Sequence, residues 1–282
     1  MARHSFSTLL ALVAVAVMAS VASVHAAVAP AANAPYYRFW HGKRLANLST
    51  AAFLDDLRRF IVATTEVGEG VALVSYVPVL TPVPGPLAQW TETALVAYDS
   101  EVAYHKLMSS PKGRKYEHSH WNLFNESQSS SHVPPAAPLL ASQQPLAIGN
   151  ATDVLGGTTL WYTQGTAAYL VVHNRTAGSS DAVYQVGVNG YIRGLAAAVG
   201  AGSNSSPLLS WVVRLDEDAV YEYQLWDGPD SRAQALSTAA GRAALKPLQA
   251  VAARFVDIAA PAADMSTPIS YGQGLSVIVP AL

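Results

Sequence analysis

The chain has 282 residues, of which 51% are hydrophobic, and its formal net charge at pH 7 is -2. This charge gives no general attraction to nucleic acid or to an anionic membrane surface, so neither is expected as a partner. The chain contains no cysteine, which excludes disulfides, thiolate metal sites and a cysteine nucleophile.

The segment 1–26 has the features of a secretory signal peptide. A short basic start precedes an almost wholly apolar run from Leu9 to Val24, and Val24-His25-Ala26 supplies a small-x-small cleavage site. A signal anchor is the alternative, but the Ala/Pro-rich segment at 27–35 favours cleavage. No later apolar run is long enough to span a bilayer. We therefore predict a protein of the secretory-pathway lumen or the extracellular space.

Glycosylation sequons support the same compartment. Five of the eight asparagines begin an Asn-x-Ser/Thr sequence, namely Asn47, Asn125, Asn150, Asn174 and Asn204. The alternative is accidental occurrence in a Ser/Thr-rich chain.

The elements of residues 35–125 can be read in chain order. The aromatic run at 36–41 predicts a strand, and apolar residues at helical spacing predict a helix that begins at Ser49 or Thr50. Strands are predicted at 71–77 and 93–98, and a Pro-rich loop at 78–90 separates them. Helical spacing returns at 101–108, and a last strand is expected near 121–124.

A similar order follows a Ser- and Pro-rich segment, 126–157, which we interpret as a linker. Residues 158–262 predict a strand at 167–172, a helix at 181–199, a hairpin of 208–215 with 219–226, and a helix from 231 to about 255. A last strand is expected near 254–259. The tail, 263–282, has room for one more strand.

A repeated block indicates an internal duplication. Tyr98-Asp99 precedes Gly113-Arg114, and Trp226-Asp227 precedes Gly241-Arg242 at an identical spacing. Each half then has the order strand, helix, strand, strand, helix, strand of a ferredoxin-like unit. For the Gly-Arg pairs we expect a structural role: the glycine admits a close approach, and the arginine reaches the upstream aspartate.

The second hairpin predicts which residues share a face. With a three-residue loop at 216–218, Val213 faces Tyr221 and Trp211 faces Tyr223, so this apolar face should pack on helices. The opposite face is mixed, and in a duplicated fold it can meet the other sheet and enclose a cavity. The residues expected to bind a ligand there, together with Glu222, are Tyr98, Ser210, Arg214, Gln224 and Trp226. The alternative is a solvated face.

The element order, the duplication and the Asp-x13-Gly-Arg blocks resemble the dimeric α+β barrel superfamily in its fused, two-repeat form. The segment Ser110 to Trp121 is similar to the late-helix region of EthD-like members, and NIPSNAP-like proteins and antibiotic-biosynthesis monooxygenases belong to the same superfamily. The resemblance implies an α+β fold of two tandem ferredoxin-like halves that form an intramolecular barrel. It also implies a small apolar or aromatic ligand, often held between sheet and helices. No catalytic residue is carried over.

Three residues are weak candidates for proton transfer: His41 at the end of the first strand, His120 beside Trp121, and Glu222 if it is buried. For each, ordinary packing, capping or solvation is the alternative. No cofactor is predicted, since metal-binding and nucleotide-binding motifs are absent, while haem or a metal stays open. The oligomeric state stays open as well.

Two functions follow as hypotheses. The first is a small-molecule-binding protein with cofactor-independent monooxygenase- or isomerase-like activity. The second is a non-catalytic structural or protein-interaction module of the secretory pathway or cell surface. The space between the sheets discriminates them: a closed cavity there that holds an ionisable residue favours the first hypothesis, and a filled, apolar interface between the sheets favours the second.

Overall fold

A computed structural model describes residues 36–68, 73–80, 92–134, 138–156, 165–260, 262–264 and 277–279. The predicted signal peptide lies outside these residues. Within the described part, no helix is both long and apolar enough to cross a membrane.

The first half is a ferredoxin-like unit. Its elements are β1 (Tyr36–Gly42), α1 (Thr50–Gly68), β2 (Leu73–Leu80), β3 (Glu92–Tyr98), α2 (Glu101–Ser109), α3 (Pro111–Ser119) and β4 (Ser130–His132). The strands lie in the order β4-β1-β3-β2. Two strands from the end of the chain, β10 (Ala262–Asp264) and β11 (Val277–Val279), extend this sheet beyond β2.

The second half repeats this topology. A short helix, α4 (Leu139–Ser142), and the strand β5 (Ala151–Asp153) precede it. Its elements are β6 (Ala167–Arg175), α5 (Asp181–Ala198), β7 (Leu208–Leu215), β8 (Ala219–Trp226), α6 (Ser231–Ser237), α7 (Ala239–Gln249) and β9 (Ala252–Ala260). The order β9-β6-β8-β7 matches that of the first half, and β5 adds to the β7 edge. The predicted fold class, two tandem ferredoxin-like units, is confirmed.

The two sheets face each other, as the duplicated fold predicts. One buried cluster combines Tyr37, Phe39 and Leu95 of the first sheet with Tyr221 and Tyr223 of the second. The Tyr223 hydroxyl donates a 3.0 Å hydrogen bond to the Thr93 carbonyl oxygen across this interface. The helices pack on the outer faces of the sheets. The chain is therefore an intramolecular α+β barrel whose centre is filled by side chains.

The last strand of the first half was predicted too early in the chain. Residues His120–Asn122 form a turn of 3-10 helix, and β4 begins at Ser130, inside the segment interpreted as a linker. The 126–157 segment also carries α4 and β5, so both halves use it. Its serine-rich sequence has weak strand propensity, and the pairing of β4 with β1 overrides that propensity.

The repeated Gly-Arg blocks mark a break between two consecutive helices. The Ser110 side chain caps α3 by accepting from the Gly113 amide at 2.9 Å, and the Thr238 side chain caps α7 by accepting from the Gly241 amide at 2.9 Å. The single long helix predicted from 231 is therefore two helices, and Pro247 lies near the end of the second.

Both members of each Gly-Arg pair act on the preceding helix. A Cβ on Gly113 or Gly241 would collide with the carbonyl oxygen of the residue six positions earlier. Arg114 donates to the Ser109 carbonyl oxygen, and Arg242 donates to the Ser237 carbonyl oxygen. The expected structural role holds for the glycines. The arginines bind the last carbonyl of the preceding helix, not the upstream aspartate, because that carbonyl would otherwise lack a donor.

The predicted register of the second hairpin is wrong by one residue. Asp216 donates its amide to the Ala219 carbonyl at 2.8 Å, so the loop has two central residues where three were expected. Consequently Trp211 lies opposite Gln224, and Val213 lies opposite Glu222. A slip of one residue moves one strand's side chains to the other face, and this changes the site described below.

We predict that Gly113→Ala and Gly241→Ala each destabilise the protein by about 1–3 kcal/mol, because a backbone carbonyl occupies the position of the added methyl group. Urea unfolding followed by circular dichroism measures the change. Gly190→Ala is the control, since its nearest neighbour is a Pro247 side-chain atom at 3.3 Å. Equal free energies of unfolding for Gly241→Ala and Gly190→Ala would contradict this role for the repeated block.

Candidate functional site

A cavity of about 200 Å³ lies on the outer face of the first sheet, beneath its helices. Its wall comes from β1–β4, α1–α3 and the 3-10 turn. The aromatic side chains that border it are Trp40, Phe60, Tyr76, Tyr98, Tyr104, Tyr116 and Trp121. A site lined in this way suits a flat, apolar molecule.

Glu92 is the acidic group buried in this wall. The side chain is fully buried, and its carboxyl group accepts hydrogen bonds from the Tyr76 hydroxyl and, at 3.1 Å, from the Trp40 indole nitrogen. Burial raises the pKa of Glu92 to about 7, although the bonds from Tyr76 and Trp40 act in the opposite direction. A carboxyl group with this pKa can accept and release a proton near neutral pH.

The strands explain why these three groups meet. Trp40 pairs with Ala94 across β1 and β3, and Tyr76 pairs with Val96 across β2 and β3. Residues 92, 94, 96 and 98 of β3 share a face because side chains alternate along a strand. The donors therefore come from the strands on both sides of β3. Burial, followed by the nearby Glu92 charge, raises the pKa of Tyr76 well above its ordinary value, so Tyr76 stays a donor.

His120, one of the three candidates for proton transfer, borders the same cavity. Its Nδ1 lies 3.2 Å from the Tyr116 carbonyl oxygen and 3.1 Å from the Glu117 carbonyl oxygen, so Nδ1 carries the proton and Nε2 is the acceptor. Burial lowers the pKa of His120 to about 4 against the effect of these two bonds, and the Arg38 charge contributes to the lowering. The ring is neutral at pH 7.

Arg38 is the cationic side chain of the cavity wall. Its Nε donates to Ser131 Oγ at 2.9 Å, and its Nη1 donates to the Tyr104 hydroxyl at 2.6 Å. The guanidinium carbon lies 5.0 Å from the centre of the Tyr104 ring. Both hydrogen-bond partners are neutral.

The second half holds a buried carboxylate in a different setting. Glu222 Oε2 accepts from the Tyr191 hydroxyl at 2.9 Å, from Trp211 Nε1 at 3.0 Å and from Gln224 Nε2 at 2.8 Å. His173 Nε2 lies 3.3 Å from Oε1. Glu222 is thus packed into a hydrogen-bond network between β8 and α5, whereas Glu92 borders the cavity.

The structure does not bring the expected ligand-binding residues together. Tyr98 borders the cavity of the first half. Ser210 and Arg214 point between the sheets, while Gln224 and Trp226 lie with Glu222 on the helix side of the second half. The six side chains cannot line one cavity, because the two-residue turn places Ser210 and Arg214 on the face opposite to Glu222, Gln224 and Trp226.

His41 lies between the sheets and away from the cavity. Its ring centre is 5.2 Å from that of Phe39 and 5.0 Å from that of Tyr221, and its Nδ1 lies 3.9 Å from Asp216. Burial lowers the pKa of His41 well below its ordinary value, and the charges of Arg214 and His132 act in the same direction. His41 is therefore a neutral core side chain at pH 7.

Sequence reasoning missed Glu92. One signal was available: side chains alternate along a strand, so Glu92 shares a face with Ala94, Val96 and Tyr98 and is the charged residue on that face. A carboxylate at such a position is expected to be buried.

The five predicted sequons differ in exposure. Asn47, Asn150 and Asn204 are exposed, and Asn125 and Asn174 are partly buried. Their glycosylation stays a prediction.

The side chains of the cavity do not fit a haem or a metal ion. A volume of about 200 Å³ is below the roughly 300–1,000 Å³ of sites for drug-sized ligands, so a macrocycle of four linked rings is too large. Among the described residues, no group of three or more His, Asp or Glu side chains could hold a metal ion.

Comparison with solved structures finds matches of low similarity that extend over most of this chain. A provisionally assigned monooxygenase from Fusobacterium nucleatum gives a TM-score of 0.44 at 10% identity, over 87% of this chain and 93% of the other. A provisionally assigned monooxygenase from Lactobacillus acidophilus gives a TM-score of 0.41 at 6% identity, over 79% of this chain and 94% of the other. A variant of chlorite dismutase from Candidatus Nitrospira defluvii gives a TM-score of 0.33 at 8% identity, over 81% of this chain and 91% of the other.

These structures are similar to this chain in fold alone. No protein-family model and no curated protein matches the sequence.

We predict that burial of Glu92 makes stability fall as pH rises. The folded pKa is about 7 and the ordinary value is 4.5, so between these values the folded chain keeps a proton that the unfolded chain releases. The contribution of the Glu92 proton to the free energy of unfolding is complete below pH 4.5 and is lost by pH 8. Its size is about 3 kcal/mol, because each unit of difference between the folded and ordinary pKa corresponds to about 1.4 kcal/mol.

Urea unfolding of the wild type and of Glu92→Gln at pH 4 and pH 8 isolates this effect. Other carboxyls with raised pKa values, such as Asp153 at about 6, titrate in both proteins and cancel in the difference. If the wild type and the variant lost equal free energy between the two pH values, Glu92 would have an ordinary pKa.

Proposed function

We propose that the protein binds a small aromatic molecule in the cavity of its first half, and that Glu92 removes a proton from that molecule. The observation that carries the proposal is a fully buried carboxyl group, with a pKa of about 7, in the wall of an aromatic cavity. A molecule of one or two rings suits the volume of about 200 Å³.

The proton-transfer step uses groups of this chain. The Glu92 carboxylate takes a proton from a carbon next to a carbonyl group, the C–H electron pair moves into the enolate, and Glu92 becomes a neutral acid. The Tyr76 and Trp40 donors hold the carboxyl group in place through both states. A fixed base of matched pKa typically contributes about 10²–10⁴-fold to such a rate.

Proton removal begins both kinds of reaction considered from the sequence. An isomerase returns the proton to a different carbon. A cofactor-independent monooxygenase lets the anion react with O₂, which is then a second substrate. Product analysis in air and under nitrogen separates the two, because isomerisation does not consume O₂.

The non-catalytic function draws support from a different observation. Aromatic and aliphatic side chains pack between the sheets, an arrangement that favours that hypothesis. The cavity with an ionisable group lies on the helix side of the first sheet, not between the sheets, and it is the basis of the catalytic proposal.

We predict that the wild type accelerates hydrogen–deuterium exchange at the C1 position of 2-tetralone, a two-ring ketone with an enolisable C–H bond. In D₂O the signal of this hydrogen in a proton NMR spectrum should decay faster with protein than in buffer. Glu92→Gln should slow the protein-dependent exchange by about 10²-fold or more, because glutamine cannot accept the proton.

Glu222→Gln is the matched control, since it replaces the buried carboxylate that lies in the network of the second half. It should leave exchange within about threefold of the wild type. Quenching of tryptophan fluorescence reports binding separately, because Trp40 and Trp121 border the cavity. Binding without exchange would support the non-catalytic function, and no binding would contradict the proposal as a whole.

A further inference from the structure

The cavity has a cationic group, Arg38, whose hydrogen-bonding capacity is only partly used by the residues that the structure describes. Arg38 has five N–H donors, and its bonds to Ser131 and Tyr104 use two of them. In the described part of the chain, no carboxylate lies within the 4.0 Å of an ion pair with Arg38. Glu117, the other acidic side chain of the wall, is exposed.

This situation differs from that of an aromatic-stacked arginine in the second half, Arg232, which lies on a helix and stacks on a tyrosine of the first strand of that half. The Arg232 guanidinium lies 4.7 Å from the Tyr169 ring centre, which is close to the arrangement of Arg38 on Tyr104. Arg232, however, also forms a 2.6 Å ion pair with Asp257. The second half neutralises its stacked arginine with a carboxylate, whereas no carboxylate of the described residues forms an ion pair with Arg38.

Arg38 and Glu92 lie towards opposite ends of the site. Arg38 pairs with Val96 on β3, and Glu92 is four positions before Val96 on that strand. At about 3.4 Å per residue, the separation along the strand is about 14 Å. A two-ring molecule with a hydrogen-bonding group at each end matches this spacing better than a single ring does.

We infer that the ligand is an aromatic acid: its carboxylate pairs with Arg38, and its acidic proton faces Glu92. Guanidinium groups bind carboxylates through two parallel N–H···O bonds, and the unused donors of Arg38 supply them. The aromatic walls hold the rings between the two ends. This inference names the substrate class of the cavity and rests on the proposed function.

The test compares two probes, 2-naphthol and 6-hydroxy-2-naphthoate, which share the same rings and a hydroxyl group. Only the second carries a carboxylate, at the far end from the hydroxyl group. Titrations followed by tryptophan quenching should show that the wild type binds the acid at least about tenfold more tightly than the naphthol. Arg38→Gln should remove this preference and change the affinity for 2-naphthol by less than about threefold.

Two further variants make the result specific. Arg38→Lys keeps the positive charge but lacks the planar guanidinium group that binds a carboxylate through two bonds, so it should retain part of the preference for the acid. Arg232→Gln should retain all of it. Circular dichroism and thermal unfolding check that each variant is folded.

The outcomes separate this inference from the proposed function. If both probes bind equally and Glu92→Gln still slows 2-tetralone exchange, the inference fails and the proposed function stands. A preference for the acid that survives in Arg38→Gln would also overturn the inference. If neither probe binds and 2-tetralone exchange is not accelerated, both fail.

Discussion

The packing of the two sheets against each other is the interaction on which the rest of this structure depends. Tyr37 and Phe39 from one sheet meet Tyr221 and Tyr223 from the other in a continuous buried cluster. A chain without disulfides gains its stability from burial of this kind, at roughly 25 cal/mol per Å² of apolar surface. Among the described residues these side chains pack between the sheets, and the cavity lies on the outer, helix-covered side of the first sheet.

The two helix-covered sides have diverged within one duplicated fold. Tyr76 lies opposite Val96, and Trp211 lies opposite Gln224, which holds the place of Val96 in the second copy of the repeat. From these equivalent positions each donates to a buried glutamate. In the second half Tyr191 of α5 also donates to Glu222 and closes the network. In the first half Glu92 has two donors and borders a cavity. Three donors to Glu222 Oε2 hold that carboxylate inside a packed network, whereas Glu92 lies beside a cavity that a ligand can enter.

The sequence predicts the order of elements and the duplication well, because both depend on local patterns. Helical spacing after Ser180 gives α5, and the repeated Gly113 and Gly241 correctly indicate a close approach. The Asp216 turn was misjudged because propensity does not distinguish a two-residue loop from a three-residue loop. That single difference moved Ser210 and Arg214 away from Glu222.

The site was harder to predict than the fold, because a cavity forms only where the packed side chains leave a gap between the sheet and its helices. Tyr98 and His120 were named as candidates and both border the cavity, although Tyr98 was expected in a cavity between the sheets. Glu92 was not, because its burial depends on Trp40 and Tyr76, which are distant in sequence. No sequence pattern shows that the first half keeps a cavity.

The most direct test of this account is the pKa of Glu92 itself, measured by ¹³C NMR titration of the glutamate side-chain carboxyl groups, with Glu92→Gln used to assign the signal. The account predicts a midpoint near pH 7, which shifts when 2-naphthol is added because the ligand lies against the carboxyl group. A midpoint near the ordinary value of 4.5, unmoved by the ligand, would contradict it.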